Sequence, residues 1–360
     1  MIHNLYTSTL LPAMQNVLFP NREEALNAPR AELNLVLDPS GYVFNSAFNP
    51  NLVKYNSEYQ NDQGYSAAFG SHLSAVIQYC KQFCPNPKGL IVDVGCGKGG
   101  FVDLMRSQGL NAVGYDNTYE GNSEYIRKSF FNSDSHDRGD LLTLRHVLEH
   151  VQNPWDFIRD LADANGHKGL LYIEVPDLIW ILENHAYYDL FHEHVNYFCA
   201  RDFHRCFPEA LKSTTSLFNG QYLGIVLDLS LIRSSNFAAD ISINFQESLK
   251  RSFDSLVQHE RTIYANARLC DALVIWGGAS KGVIFAAKAP DDVLGKLSFA
   301  IDINPNKSHK YMPISGIQVL PPQKGLELLR PNDTVLIVNP NYEKEIVSSL
   351  PSGQPHFVLR

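Results

Sequence analysis

The stretch LIVDVGCGKGG (residues 90–100) decides the fold of the central part of the chain. Its first five residues are mostly aliphatic and β-branched, which is typical of a parallel strand buried on both faces. Gly95, Gly97 and Gly99 follow at once and permit backbone conformations that side chains disfavour. The next segment, FVDLMRSQ (101–108), has helical spacing. The stretch therefore predicts a strand, a glycine loop and a helix N-terminus, whose free N–H groups suit a polar ligand.

The same alternation of strand and helix continues along the chain and predicts a Rossmann-like α/β fold with a mainly parallel sheet. Further strands are predicted at 111–116, 140–147 and 169–177, followed by an antiparallel pair at 211–218 and 222–232. A long amphipathic helix (243–267) opens a second, smaller α/β unit. We expect three regions, namely an N-terminal cap (1–75), a cofactor-binding domain (76–235) and a C-terminal α/β substrate domain (236–360).

Composition excludes several classes of partner and location. The net charge is −8 and no block of Lys and Arg stands out, which favours neither nucleic acid nor an anionic membrane as a partner. No apolar run approaches the roughly 20 residues that span a bilayer, and the first residues do not resemble a signal peptide. The six cysteines are scattered and form no C-x-x-C pair, so we expect a cytoplasmic chain without disulfides.

The glycine loop and two carboxylates point to a nucleotide-like cofactor. Asp116 ends the second strand, about 20 residues after the loop, where a carboxylate accepts both ribose hydroxyls. The spacing of Gly95, Gly97 and Gly100 also satisfies the dinucleotide pattern G-x-G-x-x-G, which leaves NAD as an alternative. Asp93, just before the loop, favours S-adenosylmethionine, because a carboxylate there attracts an ammonium group and repels a pyrophosphate. His146 lies near the same edge and is a further candidate for cofactor binding.

The stretch FHEHVNYF (191–198) groups His192, Glu193 and His194. On an extended strand the two histidines face one side and form half of a metal site, but such sites are built on β-barrels, which this chain does not predict. We therefore expect no metal. Simple packing in the core would explain one buried histidine. It explains three consecutive polar groups less well, because burying all of them without partners is costly. Proton transfer is favoured, with a histidine as base and Glu193 or Tyr197 as its orienting partner.

The chain resembles the class I S-adenosylmethionine-dependent methyltransferases in VDVGCGKGGFVDLMRSQGLNAVGYD and in RHVLEHVQNP (145–154). Three later stretches narrow the resemblance to the C-methyltransferases of nucleotide-activated ketosugars in deoxysugar pathways. These stretches are YYDLFHEHVNYF (187–198), WGGASKG (276–282) and IDINPNKSHKYMPISGIQVL (301–320). Members of that family begin with a zinc-binding domain built on cysteine pairs. The first 79 residues of this chain contain no cysteine, so no such zinc site is expected.

The resemblance implies a small-molecule substrate, a set of site residues and a reaction through an enolate. It assigns the base to His194 and a neighbouring carboxylate to Glu193. It implies further catalytic residues at His150, Tyr55 and Tyr59. The hydroxyl that the family carries just before the trio is absent here, because residue 191 is Phe191. An O- or N-methyltransferase, and more distantly an NAD-dependent oxidoreductase, are the alternative functions.

The second glycine turn, in WGGASKG, is a candidate site for the substrate. Ser280 and Lys281 lie at a helix start, where a phosphate of a nucleotide-sugar would bind. The alternative for Lys281 is a solvated lysine in the first helical turn, and the sequence does not separate the two. His192 is the remaining candidate for substrate contact.

Overall fold

Three β-sheets organise the chain in a computed structural model that describes residues 3–38, 41–55, 59, 64–84, 86, 88–232 and 243–360. The N-terminal region is a small antiparallel sheet with one short helix. Its elements are β1 (His3–Pro12), α1 (Arg22–Leu26), β2 (Arg30–Leu37) and β3 (Val43–Asn45). The ten-residue strand β1 was not predicted, because Thr and Ser interrupt its apolar residues. The strand β2 includes the mostly apolar stretch LNLVL (33–37).

The central domain begins with α2 (Ala67–Phe83), whose first turn is capped by Ser66. The elements that follow are β4 (Leu90–Val94), α3 (Gly100–Ser107), β5 (Asn111–Tyr115), β6 (Ile126–Arg127), β7 (Leu141–Arg145), α4 (Pro154–Ala164), β8 (Leu170–Pro176), α5 (Leu178–Glu183), β9 (Asn196–Tyr197), α6 (Ala200–Cys206), β10 (Leu211–Leu217) and β11 (Tyr222–Asp228). They confirm the strands and helices predicted for this part of the chain.

Seven of these strands form one sheet in the order β10-β11-β8-β7-β4-β5-β6. The five strands from β8 to β6 run parallel, and β11 runs antiparallel to both of its neighbours. The order changes direction at β4, which lies between β5 and β7. In open α/β sheets a ligand binds at the carboxyl ends of the strands beside such a change of direction. The glycine loop after β4 occupies that position.

The C-terminal region contains a third sheet, with all five strands parallel. Its elements are α7 (Ile243–Arg268), β12 (Ala272–Trp276), α8 (Lys281–Lys288), α9 (Asp291–Leu294), β13 (Leu297–Ile301), β14 (Val319–Leu320), α10 (Pro322–Leu328), β15 (Asp333–Ile337), α11 (Glu343–Ser349) and β16 (His356–Val358). The sheet order is β14-β13-β12-β15-β16, with β12 at its centre. This confirms the predicted second α/β unit.

One hydrophobic core joins the N-terminal sheet, α5 and the C-terminal unit. The short strand β9 leaves the central domain and pairs with β3, so that Tyr197 lies opposite Val43. The trio of residues 192–194 therefore lies where all three regions meet. The predicted boundary at 75/76 falls inside α2, and the one at 235/236 lies outside the described residues.

Two further properties agree with the sequence. All six cysteines are free thiols. Within the described part of the chain, no helix has both the length and the apolar character needed to cross a bilayer.

Candidate active site

The glycine loop between β4 and α3 adopts backbone conformations that favour glycine. Gly95, Gly97 and Gly99 have φ angles of +72°, +56° and +85°. A Cβ atom on Gly95 would lie 2.6 Å from Cγ2 of Val147, so this glycine lets the loop pack on the segment after β7. A Cβ atom on Gly97 would meet no protein atom within 4 Å. The loop thus presents open space and backbone beside a helix N-terminus, which suits a cofactor.

Two carboxylates flank this open space. Oδ2 of Asp116 accepts the N–H of Gly97 at 2.8 Å, and its Oδ1 accepts the N–H and hydroxyl of Thr118 at 2.8 and 2.7 Å. Asp93 is buried at the end of β4 and accepts the hydroxyl of Thr143 at 2.6 Å. Burial raises the pKa of Asp93 to about 6, against the opposing effect of that hydrogen bond. Five of the six residues predicted to bind cofactor, namely Asp93, Gly95, Gly97, Gly99 and Asp116, therefore lie at one edge of the sheet.

His146 occupies the same edge, just after β7, with a φ angle of +52°. Its Nε2 lies 3.0 Å from Oε1 of Glu174 and its Nδ1 lies 3.4 Å from Oε1 of Glu149. Burial by itself lowers the pKa of His146, but the two carboxylates outweigh it and raise that pKa to about 9. His146 is therefore a cationic imidazolium at neutral pH, held between two acids.

Glu174 was not among the predicted site residues. It is fully buried in β8 and also contacts Arg145 at 3.1 Å, His72 at 3.0 Å and the hydroxyl of Tyr172 at 2.7 Å. Burial opposes its charge, but Arg145 and the histidines keep the pKa of Glu174 well below its usual range. The sequence did carry a sign of this role, because a glutamate inside an apolar strand (LLYIEV) requires buried partners.

His192, the first member of the trio, is held by the N-terminal region. Its Nδ1 lies 2.5 Å from the carbonyl oxygen of Glu32, its Nε2 accepts the N–H of Asn49 at 3.4 Å, and its ring stacks on Phe48. Both ring nitrogens are engaged by the protein. The trio lies in a turn before β9 and not on an extended strand. His192 and His194 therefore do not form the pair that would build an H-x-H metal site.

Glu193 is completely buried and joins the trio to two other parts of the chain. Its Oε1 accepts the N–H of Gln15 at 3.1 Å, and its Oε2 accepts the hydroxyl of Tyr55 at 3.2 Å. Burial raises the pKa of Glu193. The hydroxyl of Tyr59 accepts a hydrogen bond from Asn16, the residue next to Gln15, at 3.2 Å. Glu193 thus contacts Tyr55 and Gln15, whereas the sequence indicated that it orients His194.

His150 completes this arrangement from the loop after β7. Its Nδ1 lies 3.0 Å from the carbonyl oxygen of Glu193 and 2.8 Å from the hydroxyl oxygen of Tyr55. A carbonyl oxygen only accepts hydrogen bonds, so Nδ1 of His150 carries the proton. In the neutral ring the lone pair then lies on Nε2. The structure therefore brings the predicted residues His150, Glu193 and Tyr55 together.

His194 lies beside His150, with the two rings edge to face and their centroids 4.9 Å apart. The ring of Phe191 covers it at 4.8 Å, and only 6% of His194 is exposed. Burial, followed by the nearby His150, lowers its pKa well below the usual range. Among the described residues, Nδ1 of His194 has no hydrogen-bond partner. A buried imidazole with an unused nitrogen is therefore present at the position predicted for the base.

The trio is fixed by its own neighbours. The hydroxyl of Tyr197 donates to the carbonyl oxygen of Phe191 at 3.0 Å and accepts its N–H at 2.8 Å. The N–H of Val195 donates to the carbonyl oxygen of Glu149 at 2.7 Å. Tyr197, predicted as a catalytic partner, thus holds the backbone of the trio in place.

The C-terminal unit reaches the same site through Ser280 and Lys281. Ser280 has a φ angle of +51°, and its N–H donates to the carbonyl oxygen of Gln15 at 3.0 Å. Lys281 is 7% exposed and forms an ion pair with Asp189. The solvated alternative for Lys281 is therefore wrong. Its charge is already balanced by a carboxylate, which the sequence did not indicate.

Comparison with known proteins identifies the central domain. Residues 67–210 match the family model described as a methyltransferase domain. Among curated proteins, the chain is similar to the C-methyltransferase NovU of Streptomyces niveus, with 24% identity over 145 residues, which is 35% of this chain and 34% of that protein. The chain thus spans about a third of the length of this curated relative.

Two of the solved structures found by comparison are described as methyltransferases. CalO1, a methyltransferase in calicheamicin biosynthesis bound to SAH, is 14% identical with a TM-score of 0.34, covering 44% of this chain and 52% of that chain. Magnesium protoporphyrin IX methyltransferase of Synechocystis PCC 6803, bound to SAM, is 14% identical with a TM-score of 0.33, covering 44% and 78%. At these TM-scores the similarity says nothing about the substrate.

The domain match agrees with the sheet order and with the glycine loop. Residues 67–210 are a methyltransferase domain of the Rossmann-like, S-adenosylmethionine-dependent type. This confirms the predicted fold class, enzyme class and cofactor for that domain, and gives the NAD alternative no support.

Proposed function

We propose that the chain is an S-adenosylmethionine-dependent C-methyltransferase that acts on a ketone of a nucleotide-activated sugar. The observation that carries the proposal is the group of Tyr55, His150, Glu193 and His194, in which Glu193 and His194 are buried. This group is connected to the glycine loop through Val147, which packs on Gly95. Methylation of carbon requires a base beside the methyl donor, because the carbon must first lose a proton.

In the proposed reaction His194 takes a proton from the carbon next to the ketone. The electrons of the broken C–H bond move into an enolate. S-adenosylmethionine, held at Asp93, Gly97 and Asp116, would supply an electrophilic methyl group to the enolate carbon, and its sulfur would keep the electrons of the S–CH3 bond. The hydroxyl of Tyr55 lies beside the base, and once it turns from Glu193 to the ligand it is the donor that stabilises negative charge on the enolate oxygen. The burial of His194 keeps water away from the base.

The position of the C-terminal sheet supports the proposed substrate class. The N–H of Gln15 binds Glu193 and its carbonyl oxygen binds the N–H of Ser280, so the residue next to the base and the carboxyl edge of β12 lie on two sides of Gln15. A ligand that reaches from the base to this edge has two parts, as a sugar linked to a nucleotide does. The similarity to a protein described as a C-methyltransferase supports methylation on carbon.

The experiment is methyl transfer from labelled S-adenosylmethionine to a nucleoside-diphosphate ketosugar, with the product analysed by NMR. We expect a new C–CH3 group, and we expect His194→Ala to lose turnover while its affinity for S-adenosylhomocysteine stays within twofold. A methyl group on oxygen or nitrogen would replace the proposal with the O- or N-methyltransferase alternative. Failure to bind S-adenosylhomocysteine at millimolar concentration would remove the methyltransferase function itself.

A further inference from the structure

Three side chains, one of them the proposed base His194, form a group suited to a transition metal. One ligand atom from each of Glu149, His150 and His194 lies within 4.8 Å of the others. Glu149 and His194 are 2% and 6% exposed, and their atoms Oε2 and Nδ1 have no hydrogen-bond partner among the described residues. Unpaired polar atoms at this depth are costly, since burial removes their water. Two such atoms on residues of the same group therefore indicate a missing ligand.

The surroundings of these three residues resemble the outer shell of a metal site. A histidine that binds metal through one nitrogen donates its other N–H to a carbonyl or carboxylate. His150 does so, because its Nδ1–H is directed at the carbonyl oxygen of Glu193 and leaves the lone pair on Nε2. Oε1 of Glu149 is held by His146, which leaves Oε2 available. Glu149 and His150 are thus oriented by protein contacts before any metal binds.

The backbone also holds the two loops at a fixed separation. The N–H of Val195, the residue after His194, donates a hydrogen bond to the carbonyl oxygen of Glu149. The backbone beside one proposed ligand is therefore bonded directly to the backbone of another. In a tetrahedral zinc site with bonds of about 2.0–2.1 Å, the ligand atoms lie roughly 3.3 Å apart. A spacing within 4.8 Å therefore requires small side-chain rotations and no movement of the loops.

We propose that Glu149, His150 and His194 bind one transition-metal ion of the Zn2+ or Co2+ type, and that this form of the protein is inactive. Two imidazoles and one carboxylate are a ligand set typical of zinc. The inactivity rests on the proposed function, because a nitrogen that coordinates a metal has no lone pair with which to accept the substrate proton. The metal is thus a competitor of the reaction and not a cofactor.

The first experiment titrates Co2+ into the chelator-treated, full-length protein and follows the visible absorption of the ion. We expect one equivalent to bind with the intense bands of a tetrahedral site. Glu149→Gln and His194→Asn should each weaken binding at least tenfold. The matched control is His167→Ala, which removes an exposed histidine paired with Asp163 and should bind like the wild type. Circular dichroism and affinity for S-adenosylhomocysteine verify that each variant is folded.

Weak absorption that is the same in the wild type and in Glu149→Gln would overturn the site. The second experiment adds one equivalent of Zn2+ to a turnover assay. We expect turnover to fall at least tenfold in the wild type and in His167→Ala, and to return when a chelator is added. Full turnover with Zn2+ bound would overturn the inactive form. Absence of methyl transfer with and without metal would contradict the proposed function, while the Co2+ spectrum would still decide the site.

Discussion

The hydroxyl oxygen of Tyr55 lies 2.8 Å from Nδ1 of His150, a residue 95 positions later in the chain. The same hydroxyl donates to Glu193 at 3.2 Å. One phenol thus connects the N-terminal region, the loop after β7 and the trio. Because Tyr55 accepts from His150 and donates to Glu193, it helps to fix which nitrogen of His150 carries the proton.

Tyr55→Phe should lower kcat by about 10- to 100-fold, in the range expected for one lost catalytic hydrogen bond. The affinity for S-adenosylhomocysteine should change by less than twofold, because Tyr55 contacts the base cluster and not the glycine loop. Steady-state kinetics and calorimetry measure the two quantities. Tyr79→Phe is the matched control, since it removes a hydroxyl that donates at 2.8 Å to Ser213, outside the site. A similar loss of kcat in both variants would assign a purely structural role to Tyr55.

A comparison of Gly97→Ala with Gly166→Ala should separate the cost of backbone strain from the loss of a cofactor contact. Gly97 and Gly166 have φ angles of +56° and +65°, and at neither position would a Cβ atom meet a protein atom within 4 Å. Alanine at either position should lower the free energy of unfolding by about 1 kcal/mol. Only Gly97→Ala should weaken binding of S-adenosylmethionine, by tenfold or more. Equal affinities in calorimetry would show that the cofactor does not approach Gly97.

Asp93→Asn should make the protein more stable at pH 8 and weaken its binding of cofactor. The pKa of Asp93 is about 6 in the folded protein, whereas an aspartate in an unfolded chain has a pKa of about 3.9. The folded protein therefore keeps the proton of Asp93 up to a higher pH than the unfolded chain does. Its free energy of unfolding falls as the pH rises from 4 to 6. The difference is on the order of 3 kcal/mol at pH 8 and vanishes below pH 4. Urea unfolding of both proteins across this range measures it, and a difference that does not depend on pH would contradict the assignment.

The sequence predicted the central sheet because its signals are local. The glycine loop, the helix starts and the turn at Asn219-Gly220 each depend on residues next to one another. The strand β1 lacks such a signal and is stabilised by its long pairing with β2. The pairing of β9 with β3, which positions the trio, joins residues about 150 positions apart and could not be read from either segment.

The sequence identified several residues of the site, but it did not show which of them contact one another. Glu193 and His150 were both candidates, yet their connection through Tyr55 depends on where the N-terminal region folds. Glu174 binds His72, which lies 102 positions earlier in the chain. Such contacts between distant segments exist only after the three regions have packed together, so a single sequence does not contain them in readable form.

The ion pair of Lys281 with Asp189 offers a test of how the C-terminal unit is held on the site. The pair is buried between the rings of Trp180 and Tyr188, at 5.9 and 5.5 Å from the lysine nitrogen. Asp189→Leu or Lys281→Met alone leaves one buried group without its partner and should lower the free energy of unfolding by about 3–5 kcal/mol. The double variant leaves no charge and should recover most of that loss. Urea unfolding followed by tryptophan fluorescence gives the three values, and a double variant that loses the sum of both single losses would show that the two residues do not act as a pair.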